Sequence, residues 1–421
     1  MNKYLQILFL VLFPFYPFWA WAFLTGDNKE IVEYANLLWL GLFVFLLIIK
    51  SNRFPKYLVF LMLFTAYHLG SVYYFNLVPP EMTWVSFIRQ DLNVYACAVL
   101  FVIENTKFEG WFFEKMNRNI LIIVAISALV SLVQVADPMF FLNQKMDVEM
   151  DYTGTGRIFS IYSWTNINSL GISFPIMISI LLSVISTQKK TFPIVVISGL
   201  LVAFLSRARY IMISTIIAFS QLLITSTIAL KRKVYFVLIL FFSVVVLMMA
   251  AQNSGFNLQE VIQDRILEKS NETEMGSAMV RVTSYYVFLL KFPEHPMLGV
   301  GPKTRNDVIQ LLGGEAPLIH VGYLSYLYYY GILGFLLLMI SIFFLLKRAW
   351  KTGRKHEFWG SFYGIITFCF ANTTFVYFNM SEMGIILAVI YLKIFEDKQE
   401  MELAEEKDSQ ELLPAVLDSE N

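Results

Sequence analysis

Residues 318–346 read LIHVGYLSYLYYYGILGFLLLMISIFFLL, a run that contains no Asp, Glu, Lys or Arg. About 20 apolar residues of α-helix cross a hydrocarbon core about 30 Å thick, so this run predicts a transmembrane helix. The whole chain has 57% hydrophobic and only 15% charged residues, whereas soluble domains have about 25% charged residues. The sequence therefore predicts an all-α, polytopic membrane protein.

Similar apolar runs recur along the chain and predict about 12 transmembrane helices. The predicted spans are 4–24, 30–49, 57–77, 84–103, 119–136, 166–187, 191–206, 210–230, 233–251, 318–346, 357–378 and 382–395. The first run is longer than the core of a signal peptide, about 7–15 residues, which favours an uncleaved first helix.

These spans divide the chain into four regions. Residues 1–251 hold predicted helices 1–9, 252–317 form one long polar loop, 318–395 hold helices 10–12, and 396–421 form an acidic tail. The loop is predicted to carry short amphipathic helices. The tail is predicted to be disordered, because it is rich in acids and poor in apolar residues.

The distribution of charge predicts the orientation. Lys+Arg and Asp+Glu are both 32, a balance that gives no indication of a nucleic-acid partner. Basic residues concentrate in the short loops on one side, as in 347–355, so the positive-inside rule predicts that both termini are cytoplasmic. The 252–317 loop is then on the outer side. Cys97 and Cys369 lie in apolar spans and provide no disulfide framework or thiolate metal site.

Two arginines on the predicted outer face, Arg207 and Arg209, run against this charge bias. The planar guanidinium donates to two oxygens at once, so such residues are typical of phosphate binding. The alternative is that both side chains extend to lipid headgroups.

The long loop contains further basic residues. Arg281 begins a predicted amphipathic helix with Tyr285, Tyr286 and Leu289 on its buried side. A helix N-terminus favours anions, and Arg281 adds positive charge to it. An isolated, solvated charge is the alternative.

A turn of sequence Gly299-Val-Gly-Pro302 follows this predicted helix, with Lys303 and Arg305 directly after it. Glycines in such a turn allow backbone amides to approach a diphosphate. The motif is short, so the turn alone is weak evidence for binding.

Four more polar residues are candidates for contacts with a sugar or an acceptor. Arg157 lies in the 137–165 loop, Asn168 lies just after it, and His320 and Tyr323 head the span quoted above. A histidine at an outer helix end is a proton acceptor near neutral pH. An interfacial aromatic belt with an incidental histidine is the alternative.

Some polar residues are interpreted as structural. Arg89 and Asp91 within a predicted span are expected to pair with neighbouring helices, through Glu104 or His68. The acidic cluster Asp147, Glu149 and Asp151 has no histidine beside it, so no metal site and no cofactor are predicted.

Five ordered segments resemble the O-antigen ligase and Wzy-type polysaccharide polymerase superfamily. These are Gly156-Arg157 leading to Asn168-Ser-Leu-Gly171; Ser206-Arg207-Ala208; Arg281 ahead of His295-Pro-Met-Leu-Gly-Val-Gly-Pro302; His320; and Gly331-Ile-Leu-Gly334. The resemblance covers residues 155–345.

The resemblance implies a bacterial inner (plasma) membrane protein that uses an undecaprenyl-diphosphate-linked glycan at the periplasmic face. By resemblance, Arg207 and Arg281 would hold the diphosphate and His320 would lie near the acceptor hydroxyl or the leaving group. Arg209 has no clear counterpart in the family. The family often has Asn after this histidine, and Val321 stands here. The proton acceptor therefore stays open between His320 and a loop carboxylate such as Asp307 or Glu315.

Three functions fit this resemblance. We expect a polymerase that joins lipid-linked repeat units of O-antigen, capsule or exopolysaccharide by inverting, metal-independent glycosyl transfer. The alternative is a ligase that moves the glycan onto lipid A core or another acceptor. A flippase for the same lipid is less favoured, because transporter sites usually lie at the midplane within repeated halves. Membrane lipid, a chain-length regulator and a flippase are the other expected partners.

Overall fold

The computed structural model describes residues 2–19, 29–49, 52–80, 82–137, 140–141, 158–162, 167–185, 191–206, 208–225, 233–234, 277–302, 309–311, 314–316, 319, 321–374 and 380–398. All structural statements below concern these residues. The predicted span 233–251, most of the 252–317 loop and the tail beyond residue 398 lie largely or wholly outside them.

Helices dominate the described part of the chain. They are α1 Asn2–Leu12, α2 Lys29–Ile49, α3 Lys56–Tyr74, α4 Trp84–Gln90, α5 Leu92–Glu104, α6 Gly110–Ala136, α7 Ile167–Ile185, α8 Thr191–Leu205, α9 Arg209–Ile224, α10 Ser277–Lys291, α11 Gly322–His356, α12 Gly360–Ala371 and α13 383–398. Short 3₁₀ turns occupy Ser160–Tyr162 and Phe292–Glu294.

Three of these helices, α3, α6 and α11, are long and apolar enough to cross a membrane. The bent pair α4 and α5 makes a fourth if the two are counted as one span, and shorter apolar helices pack around them. The helical class is therefore confirmed, while the number of twelve spans stays a prediction.

One short element departs from the all-α prediction. Strands β1 Ile309–Leu311 and β2 Gly314–Ala316 form an antiparallel hairpin within the predicted outer loop. Two strands of three residues lack the apolar alternation over several residues by which a sequence pattern indicates a strand, which is why the hairpin was missed.

The prediction of one continuous helix over 84–103 is wrong, because this segment forms two helices that meet at Asp91 with a bend of 60°. The Asp91 Oδ1 atom accepts hydrogen bonds from the amides of Asn93 and Val94, both at 2.9 Å. Such a cap begins a new helix and interrupts the old one. The other carboxylate oxygen lies 2.6 Å from His68 Nε2, so the expected pairing of Asp91 with His68 is confirmed.

Glu104 pairs with Arg348 rather than with Arg89. Both carboxylate oxygens of Glu104 accept from the Arg348 guanidinium, at 2.5 and 3.1 Å, and both oxygens of Glu396 accept from it at 2.7 Å. The Tyr57 hydroxyl also donates to Glu104, at 2.7 Å. This cluster joins α3, α5, α11 and α13 at one end of the helix bundle.

Helix α10 confirms that a helix contains Arg281. Tyr285, Tyr286 and Leu289 are exposed, whereas Ser284 and Val287 pack into the protein. The predicted set therefore does not face the rest of the protein. Burial of these three side chains in a membrane surface stays a prediction.

Helix α11 is interrupted at Gly331, which has φ 62° and ψ −173°. The turn at 296–301 supplies the hydrogen bonds that the helix loses there. Amides of Val300 and Gly301 donate to the Tyr328 and Tyr329 carbonyls, and the amides that follow Gly331 donate back to the turn, at 2.8–3.2 Å. The Tyr67 hydroxyl donates to carbonyls on both sides of this junction.

We expect Gly331→Ala to be strongly destabilising. An added Cβ would lie 2.3 Å from the Met297 carbonyl oxygen, and the backbone conformation is one that only glycine adopts readily. Backbone strain alone costs about 1–3 kcal/mol. The measurement is the Tm of the purified protein in detergent.

Gly41→Ala is the matched control, because a Cβ there meets nothing within 4 Å in a helix. Its Tm should equal or slightly exceed that of the wild type. An unchanged Tm for Gly331→Ala would contradict the junction described here.

Candidate active site

Two of the described helices that carry family-like segments, α7 and α9, begin at the same end of the bundle. This end, here called the motif end, lies opposite the Arg348 cluster. Helix α7 begins at this end with Ile167-Asn-Ser-Leu-Gly171, and α9 begins there with Arg209. A Cβ on Gly171 would lie within the ring of Tyr210, 2.0 Å from Cε2. Glycine at 171 is therefore needed for the close approach of α7 to the start of α9.

Helix α12 runs antiparallel to α7 in a register that two glycines define. A Cβ on Gly360 would lie 2.7 Å from the Ile180 Cα, and one on Gly364 would lie 2.9 Å from Ile176 Cγ2. A step of four residues toward the C-terminus of α12 therefore corresponds to a step of four residues toward the N-terminus of α7. Continuing this register for two further turns places Asn372 at the level of the start of α7.

Helix α13 joins the same end. The Ser173 hydroxyl accepts from the Gly384 amide at 3.1 Å, and a Cβ on Gly384 would lie 2.8 Å from the Ser173 Cα. The carboxyl group of Glu382, in the turn before α13, forms a hydrogen bond with the Ser169 side chain. A carboxylate on α13 and the N-terminal turn of α7 are therefore in direct contact.

Helix α11 is tied to the motif end through Tyr323. Its hydroxyl donates to the Cys369 carbonyl on α12 at 2.7 Å. The first turn of α11, directly after position 320, therefore packs beside the last turn of α12. A role for Tyr323 in substrate binding stays a prediction.

The glycine turn at 299–301 is used for packing, and the idea that its amides receive a diphosphate is wrong. The Gly299 amide donates to the His295 carbonyl at 3.0 Å. The next two amides donate to carbonyls of α11, as described above. A backbone N–H that already has a carbonyl acceptor is not available to an anion.

Most of the other predicted site residues lie outside the part of the chain that the structure describes. Arg157, Arg207, Lys303, Arg305 and His320 lie outside the described residues, as do Asp307 and the acidic cluster 147–151. For Asn168, Arg209 and Arg281 the structure describes helical backbone and no side chain. Their roles stay predictions.

Two polar residues at the motif end were missed from the sequence. Glu382 was counted as the edge of the last apolar span, and Asn372 lies inside the span before it. The available signal was an acid on the predicted outer side with no basic residue close to it in sequence. A single acid at a span boundary is usually an interfacial charge, so that signal was too weak to single it out.

Within the described ranges, no group of three or more His, Cys, Asp or Glu is placed to hold a metal ion.

Taken together, the apolar helices and the polar residues gathered at one end define a membrane-embedded helical protein with a candidate site at the motif end. A protein-family model described as O-Antigen ligase matches residues 192–339, about a third of the chain. The match confirms the resemblance to the O-antigen ligase and Wzy-type polymerase superfamily, and it supports a function of this ligase or polymerase type. A comparison with curated proteins gives no match.

Proposed function

We propose that the protein is a glycosyltransferase that polymerises undecaprenyl-diphosphate-linked repeat units of a surface polysaccharide. The observation that carries the proposal is the O-Antigen ligase match over residues 192–339, which includes the Ser206-Arg207-Ala208 segment, Arg281 and His320. The reaction occurs on the outer face of the bacterial inner membrane, with both chain termini in the cytoplasm.

The chemistry needs positive charge where the leaving group develops. When the sugar–diphosphate bond breaks, the lipid diphosphate gains negative charge, and cations held in place beforehand stabilise that charge without reorganising. Arg207 and Arg281 supply it, since guanidinium groups bind phosphate oxygens in pairs. The acceptor hydroxyl attacks the anomeric carbon from the opposite face, so the product has inverted configuration.

The second candidate is a ligase that transfers the finished glycan to lipid A core or another acceptor. The description of the matched family, O-Antigen ligase, favours it, whereas Val321 in place of the common Asn after His320 favours the polymerase. Donor and leaving group are the same in both reactions. A flippase is less favoured, because the described polar residues Asn372 and Glu382 lie at one end of the bundle rather than at its middle.

The test of polymerase against ligase is the lipopolysaccharide or capsule of a deletion strain. If the protein is the polymerase, we expect the acceptor to carry a single repeat unit in that strain. Complete loss of repeats, with polymer accumulating on the lipid carrier, would contradict the polymerase and support the ligase. Expression of the gene from a plasmid should restore the long chains.

A further inference from the structure

We propose that Glu382 is the general base of the glycosyl transfer and that Asn372 helps to bind the acceptor sugar beside it. This inference rests on the proposed function and adds a residue pair to the same site. Neither residue belongs to the five segments that carry the family resemblance.

The position of Glu382 is the first argument. Its backbone carbonyl accepts from the amides of Ile385 and Ile386, at 3.0 and 3.2 Å, so the residue caps the start of α13. Its side chain forms a hydrogen bond with Ser169 in the first turn of α7, two residues before the Gly171 contact with Tyr210. The carboxyl group is thus fixed at the first turn of α7.

An unsatisfied polar atom in the same region is the second, independent argument. Asn372 is fully buried, and its Nδ2 atom donates to the Phe368 carbonyl at 2.8 Å. Its Oδ1 atom has no hydrogen-bond partner among the residues that the structure describes. A buried amide oxygen without a donor costs free energy, and a sugar hydroxyl is a donor of suitable size.

The helix register brings these two groups to the same level. By the antiparallel register Asn372 lies at the level of residue 168 of α7, and Glu382 contacts Ser169 directly. Both therefore lie within about one helical turn of each other along α7, about 5 Å. A pyranose ring with several hydroxyls spans such a distance.

The surrounding groups suit a proton acceptor. Tyr16 and Tyr162 are the ionisable groups that interact electrostatically with the Glu382 carboxylate, and both are neutral at physiological pH. Among the described residues, Glu382 has no ion pair within 4.0 Å, unlike Asp91, which is held by His68. A carboxylate without a permanent counter-charge remains basic enough to take a proton.

The proposed step balances as follows. The acceptor hydroxyl oxygen forms a bond to the anomeric carbon of the donor while its proton moves to the Glu382 carboxylate. The bond between the anomeric carbon and the phosphate oxygen breaks, and its electron pair leaves with the polyprenyl diphosphate. The proton then passes from Glu382 to water, which restores the carboxylate.

The experiment measures kcat and KM of the purified protein for lipid-linked oligosaccharide in detergent. For Glu382→Gln we expect kcat to fall about 100-fold or more, because removing a general base costs about 10²–10⁴ in rate. The KM for the donor should stay within about threefold, since the side chain keeps its size and its hydrogen bond to Ser169. For Asn372→Leu we expect a higher KM for the acceptor.

Glu114→Gln is the matched control, because Glu114 is exposed on α6 at the opposite end of the bundle. If the wild type and this control elongate the substrate while Glu382→Gln has the same kcat as they do, the inference about Glu382 is overturned and the proposed function stands. If the wild type itself forms no product, the proposed function fails.

A second variant covers the case in which Glu382→Gln does not fold. Glu382→Asp keeps the carboxylate on a side chain one methylene shorter, so we expect kcat to fall about tenfold with an unchanged KM. A kcat equal to that of the wild type, or a change confined to KM, would overturn the assignment.

Discussion

Arg207→Ala and Arg281→Ala are each expected to lower the rate of glycosyl transfer at least about 100-fold. Each removes a fixed cation that stabilises the departing diphosphate, and loss of one such donor typically costs about 10²–10³ in kcat. Arg→Lys at either position should recover only part of the rate, because the ammonium cannot donate to two phosphate oxygens in the planar geometry of a guanidinium. Product formation from lipid-linked oligosaccharide is the measurement.

Arg354→Ala serves as the control for loss of an arginine, since Arg354 is exposed near the end of α11 that lies away from the motif end. It should have the same activity as the wild type. All variants should be present in the membrane at equal levels. Wild-type activity in both Arg207→Ala and Arg281→Ala would remove the assignment of the diphosphate site.

The largest effect on stability is expected at Arg348. Its guanidinium is bound by both oxygens of Glu104 and of Glu396, and the Glu104 side chain is only 3% exposed. Arg348→Ala leaves a buried carboxylate without its cation, which typically costs about 3–5 kcal/mol. We expect low yield and a Tm well below that of the wild type in detergent.

Removing the carboxylates that Arg348→Ala leaves unpaired should restore part of the lost stability. Replacing Glu104 and Glu396 by Gln in the Arg348→Ala background removes the unpaired carboxylates, so the triple variant should be more stable than Arg348→Ala alone. A Tm for Arg348→Ala within about 2 °C of the wild type would show that the cluster contributes little, as for an exposed ion pair.

The helices were predictable because each apolar run must form its hydrogen bonds within itself in a bilayer. The boundaries and breaks of the helices were harder to predict. The bend at Asp91 depends on a side chain that caps α5, and the break at Gly331 depends on a partner turn more than 30 residues earlier in sequence. Gly331 leaves no gap in the apolar pattern, and the polar run 89–91 was interpreted as part of one continuous span.

The candidate site was predicted only in part, for a similar reason. Charged residues such as Arg207 and Arg281 are conspicuous because they run against an apolar or topological background. Asn372 and Glu382 become notable only through the register of α12 and α13 on α7, which glycines at 360, 364 and 384 determine. The glycine turn at 299–301 is the opposite case. Its sequence is typical of phosphate binding, but the turn forms a junction with α11.

The central claim is that this chain forms a glycosidic bond from a polyprenyl-diphosphate donor. The most direct test incubates purified protein in detergent with undecaprenyl-diphosphate-linked repeat units and no nucleotide sugar. We predict longer lipid-linked oligosaccharides, release of undecaprenyl diphosphate, and a new linkage of inverted anomeric configuration by NMR. Recovery of the substrate unchanged, with no new bond to any acceptor supplied, would contradict the account.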